Sequence, residues 1–85
     1  MDVCSGGTIN AGATSITFTN HHSEDCTITG CDMPGWPTTD PVIPRKQGST
    51  PGSQIVELNT PATPGTYDYT PTCCDEETGP QIKVQ

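Results

Sequence analysis

Prolines limit what this chain can become more than any other residue. Pro34, Pro37, Pro41, Pro44 and Pro51 punctuate residues 32–52, and Pro61, Pro64, Pro71 and Pro80 recur through the remainder. Each removes a backbone donor and fixes φ, so a helix of ordinary length finds little room between them. No segment carries a long 3.6-residue apolar period either. What survives is a set of short runs that alternate apolar and polar residues, the mark of half-buried strands.

The clearest run is Ala13 to Asn20, where Ile16 and Phe18 share one face and Ser15, Thr17 and Thr19 the other. Thr8-Ile9 begins a first short strand after Ser5-Gly6-Gly7. A polar loop from Asn20 to Asp25 leads to a second alternation, Cys26 to Cys31, with Cys26 and Ile28 on one face. These two runs read as adjacent antiparallel strands. Residues 32–52 form a long Pro-rich connection, with Val42-Ile43 as at most a brief edge segment. Gln54 to Leu58 is a third strand, in which either Val56 with Leu58 or Ile55 alone takes the buried face. Pro64-Gly65 launches a strand in which Tyr67 and Tyr69 share a face, and Ile82 and Val84 share one in the last. Short strands and long loops in a single domain of residues 1–85 predict an all-β antiparallel sandwich of Greek-key type. The expected core includes Ile16, Phe18, Ile28, Tyr67 and Val84.

Ten acids against three bases leave a net charge of −7. Arg45 and Lys46 are adjacent and Lys83 stands alone, so no basic face exists to hold phosphates. Nucleic acid is therefore not expected as a partner, nor is an anionic membrane surface. No apolar run approaches the roughly 20 residues that cross a bilayer, so membrane insertion is not expected. The acidity reads as solubility, and a monomer is expected.

Five cysteines, Cys4, Cys26, Cys31, Cys73 and Cys74, are many for a chain of 85 residues. A core this small gains from covalent staples, which form and persist in oxidising surroundings. That points to an extracellular or periplasmic location. Met1-Asp2-Val3 has neither a basic nor an apolar region, so Met1 reads as an added start on a mature domain cut from a longer secreted precursor. The odd count leaves one cysteine free, paired outside the domain, or bound to metal.

Two segments resemble the cupredoxins, the blue-copper electron-transfer family. Ile16-Thr17-Phe18-Thr19-Asn20, a polar loop and Cys26-Thr27-Ile28 are similar to a strand, loop and strand that open on a histidine ligand in that family. Pro64-Gly65-Thr66-Tyr67-Asp68-Tyr69 is similar to the strand that leads to the ligand cysteine, and Gly79 to Val84 to the closing strand. The resemblance implies a copper site at one end of the sandwich. Yet Cys26 stands at the first histidine position, and Asp75-Glu76-Glu77-Thr78 offers neither His nor Met. Blue copper needs two imidazoles, a thiolate and a weak axial partner, so the resemblance implies a site that has been lost. It further implies a disulfide in place of the metal, between Cys26 and the inward-facing member of Cys73 and Cys74, with Cys74 favoured. Cys4 with Cys31 is then the natural second pair, and a vicinal Cys73–Cys74 bond is disfavoured by ring strain.

Metal ligation is the alternative for these residues. Cys26, Cys73, Cys74, His21 and His22 supply donors for copper or zinc, but no spacing matches a paired Cys-x-x-Cys site, and no cofactor is favoured. His21-His22 reads first as a solvated loop pair. Glu76-Glu77 reads as surface charge, and no nucleophile elbow, phosphate loop or triad order is present, so no enzyme activity is expected. Trp36 either plugs one end of the fold or offers an aromatic platform to a protein or glycan partner. The leading expectation is a non-catalytic binding or structural module of a secreted or cell-envelope protein. A degenerate metal-binding domain and an immunoglobulin-like adhesion or carbohydrate-binding module are the alternatives.

Overall fold

A computed structural model describes residues 1–74 and 79–85, and among these every regular element is a strand. The strands are β1 (Gly6–Ile9), β2 (Ser15–Asn20), β3 (Cys26–Thr29), β4 (Val42–Ile43), β5 (Gly52–Glu57), β6 (Gly65–Asp68), β7 (Thr70–Pro71) and β8 (Gln81–Val84). They form three small sheets, ordered β1-β8-β6, β2-β5 and β4-β3-β7. The all-β class thus follows the proline pattern. Residues 75–78, including Glu76 and Glu77, lie outside the described residues.

β2 and β5 pair antiparallel from Ser15↔Glu57 to Asn20↔Gly52. On β2, Thr19 accepts from Val3 N at 3.1 Å and donates to Met1 O at 2.8 Å. A residue that turns both backbone groups toward the N-terminal arm cannot turn them toward β5, so the arm lies on β2's other flank. Both flanks are taken. This is why β3 does not pair with β2, contrary to the expectation from the sequence. The buried Asn20 side chain steers the chain away instead, donating to Glu24 O at 2.9 Å and Ile43 O at 3.2 Å. β3 lies between β4 and β7 in the third sheet.

The closing strands pair as the alternation implies, with Tyr67 opposite Ile82 in the antiparallel β6–β8 ladder. Among the described residues one strand pairing is parallel, β1 with β8 from Gly6↔Gln81 to Ile9↔Val84, so the fold is not wholly antiparallel. Parallel neighbours need a long connection, and here most of the chain separates them. Gly6 makes the approach, at φ 68°, and a Cβ there would collide with the Gln81 carbonyl.

The core joins residues from all three sheets. Ile16, Phe18, Val56, Ile28, Cys26, Ile43, Ile82 and Val84 are buried, and Val3 joins them from the arm. Val56 takes the inward face of β5 and leaves Ile55 54% exposed, which settles the choice the sequence left open. Tyr67 is a correction, being half-buried while Tyr69 is sealed in the core. The chain leaves the β6 ladder after Asp68 and crosses to β3 at Thr70–Pro71, and the crossing turns Tyr69 inward. Its ring meets Phe18 edge-on at 5.8 Å between centroids, and its hydroxyl donates to Val3 O at 2.9 Å.

Candidate functional site: a sulfur–imidazole cluster

Three parts of the chain bring sulfur to one place. The N-terminal arm carries Cys4, β3 begins at Cys26, and the turn after β7 carries Cys73 and Cys74. Cys4 bonds to Cys74 and Cys26 to Cys73, with Cα separations of 5.7 and 4.9 Å, both ordinary for a disulfide. Cys31 is left free. The pairing corrects the expected scheme in two ways. Cys26 takes Cys73 rather than Cys74, because Cys73 is the buried member of the pair and Cys74 the half-exposed one. Cys4 takes Cys74 rather than Cys31: hydrogen bonds hold the arm along β2, a turn at Asp2 follows, and Cys4 is thereby set beside Cys74.

Local hydrogen bonds set each part. The Asp2 carboxylate accepts from Cys4 N at 2.8 Å and fixes the turn that aims the sulfur. The turn after β7 is held to β3 by Thr72 N donating to Thr27 O and by Thr27 N donating to the Thr72 hydroxyl, both at 3.0 Å. Asn20 Oδ1 accepts from His22 N at 2.8 Å, which swings that ring toward Cys4. His22 Nε2 then lies 3.0 Å from Cys4 Sγ. A sulfur in a disulfide has no proton and can only accept, so this contact places the imidazole hydrogen on Nε2.

The two bridges touch, with Cys73 and Cys74 sulfurs 3.8 Å apart. Donor atoms of Cys4, His22, Cys73 and Cys74 all lie within 4.8 Å of one another. Of the candidate ligands read from the sequence, His22, Cys73 and Cys74 are gathered here, and Cys26 joins through its bond to Cys73. Cys4 was missed as a donor, since nothing in its neighbourhood signals that the arm folds back on β2. His21 is not gathered; its ring faces the Asp2 carboxylate at 3.7 Å and is mostly exposed.

The remaining candidates lie elsewhere. Burial pushes the Cys31 thiol above its ordinary range, with Asp32 adding to the rise against a backbone hydrogen bond from Met33. Trp36 is half-buried against Phe18, edge-on at 6.2 Å. Its Nε1 is buried and has no acceptor among the described residues. That packing fits the plug better than the platform. An open cleft of about 530 Å³, lined by Cys4, Thr8, Gln81 and Lys83 among others, reaches the edge of the outer bridge.

Among the described residues no helix is long and apolar enough to cross a membrane. Compared with protein-family models, curated proteins and solved structures, the chain matches none.

Proposed function

We propose that this chain is a non-catalytic structural or binding module of a secreted or cell-envelope protein, a cupredoxin-like sandwich in which cross-links stand where a copper site would be. The observation that carries the reading is the convergence of both bridges on Cys73-Cys74. Loops spanning 70 and 47 residues are closed at one point, so the arm, β3 and the C-terminal strands are tied into one unit. Such ties stabilise by restricting the unfolded chain, and a domain this small depends on them. A blue-copper centre needs a free thiolate and two imidazoles. The sulfurs of Cys26, Cys73 and Cys74 are consumed in bonds, and only His22 approaches them among the described residues.

The test is a thiol count on the denatured, unreduced protein, followed by titration of the folded protein with Cu(II). One reactive thiol, from Cys31, and no intense visible band are expected. An intense charge-transfer band, lost on replacing Cys74 but surviving loss of His21 and His22, would make a cysteine-centred electron-transfer site the better reading.

A further inference from the structure

We propose that the same cluster, once its bridges are reduced, is a four-coordinate site for a thiophilic divalent ion of the Zn(II) class, with Cys4, Cys73, Cys74 and His22 as ligands. Cys26 is not a ligand; its role is to hold Cys73 in the oxidised state.

Three observations support this. The four donor atoms already lie within 4.8 Å of one another, drawn from three separate parts of the chain. The Cys73 and Cys74 sulfurs sit 3.8 Å apart. A tetrahedral ion with metal–sulfur bonds of about 2.3 Å requires sulfur–sulfur edges of roughly that length. His22 also brings its Nε2 to 3.0 Å from Cys4 Sγ, and the Asn20 side chain, which bonds no cysteine, holds the His22 backbone through its N–H. A lone disulfide needs no imidazole beside it, whereas a Cys3His site places one about 3.5 Å from each sulfur, a small outward shift from the 3.0 Å seen here. Three sulfurs and one imidazole form a donor set suited to zinc and unlike the two-imidazole set of blue copper.

The chemistry balances with a dithiol as reductant. Two dithiol molecules are oxidised to disulfides, and the two protein bridges take up four electrons and four protons to give four thiols. Cys4 is half-exposed at the edge of the cleft, so the outer bridge is the one a reductant reaches first, and accessible bridges are the labile ones. The ion then replaces the protons of Cys4, Cys73 and Cys74. His22 moves its hydrogen to Nδ1 and binds through Nε2, and Cys26 keeps its proton as a spectator. Covalent staple and metal staple are thus alternatives at one place, exchanged by redox state.

The experiment uses the full chain reduced with a phosphine under anaerobic conditions and titrated with Co(II), a spectroscopic stand-in for Zn(II), then with Zn(II) as competitor. Expected are one tightly bound equivalent, the strong d–d absorption of a tetrahedral thiolate complex, and no such binding by the oxidised chain. Cys26→Ser and Cys73→Ser lose the same bridge, but only the second loses a ligand. Reduced Cys26→Ser should bind like the parent, and Cys73→Ser at least ~10-fold more weakly. His22→Ala should weaken binding by at least the same factor, and His21→Ala should leave it unchanged. If the reduced chain is unfolded without metal, Zn(II) must restore its β-sheet circular dichroism. Equal affinities for Cys26→Ser and Cys73→Ser, indifference to His22, failure of Zn(II) to restore the fold, or an octahedral spectrum would each overturn the assignment.

Discussion

At the scale of single residues, two aromatic rings and one thiol carry the clearest consequences. Phe18 is fully buried between Tyr69 and Trp36, so Phe18→Ala removes the centre of the core. A loss of about 3–5 kcal/mol is expected in urea unfolding, enough to unfold a domain of marginal stability. Tyr69 is as deeply placed, and burial, aided by the Asp2 charge, pushes its phenol well above the ordinary tyrosine range. The unfolded chain ionises this group near pH 10, whereas the folded chain resists. The contribution is therefore complete below about pH 10 and declines as pH rises beyond it, because the unfolded state then holds fewer protons. Tyr69→Phe should flatten that alkaline decline. At neutral pH it should cost roughly 1–2 kcal/mol for the bond to the Val3 carbonyl, as read from urea midpoints. Cys31, its thiol pushed up by burial, should alkylate slowly at neutral pH and faster as pH rises, by mass spectrometry, and faster at every pH after denaturation.

At the scale of elements, the alternating strands were legible and their partners were not. Ile16 and Phe18, Cys26 and Ile28, and Ile82 and Val84 declare their inward faces by period alone, because the side-chain repeat of a strand is local. Pairing depends on what else reaches each edge. The arm at Met1–Val3 carries no strand signal, yet it fills the flank of β2 that β3 was expected to occupy. The two tyrosines were read as one face because the sequence does not reveal that the chain changes sheets between Asp68 and Thr70. The cluster was half legible for the same reason: its cysteines and His22 could be named as donors, but bringing Cys4 to Cys74 required knowing where the arm lies. The parallel β1–β8 contact depends on Gly6, where any side chain meets the Gln81 carbonyl. Gly6→Ala should therefore reduce hydrogen-exchange protection of Ile82 and Val84. Gly12→Ala is the control: its φ is also positive, at 89°, but nothing lies within 4 Å, so it should show only the ~1–2 kcal/mol of backbone strain.

For the whole molecule, stability rests on the two nested loops as much as on the core. In the chain-entropy picture each closure is worth about 4 kcal/mol alone, and less once the other is in place, since the two loops share most of their length. Reduction in the absence of metal should then lower the urea midpoint sharply, and Cys4→Ala with Cys74→Ala should reproduce part of that loss. The position of the bonds along the chain also governs the order of events during synthesis. Cys4, Cys26 and Cys31 all emerge before Cys73 and Cys74, so wherever the growing chain meets an oxidant the first partners these three find within residues 1–72 are one another. Every bond formed in that interval is wrong, including the short Cys26–Cys31 loop. The native pairs must be reached by reshuffling once Cys73 and Cys74 arrive. Yield from oxidative expression should therefore depend on a disulfide isomerase more than on the oxidant, and Cys31→Ser, which removes a competing nucleophile without touching a native bond, should raise it.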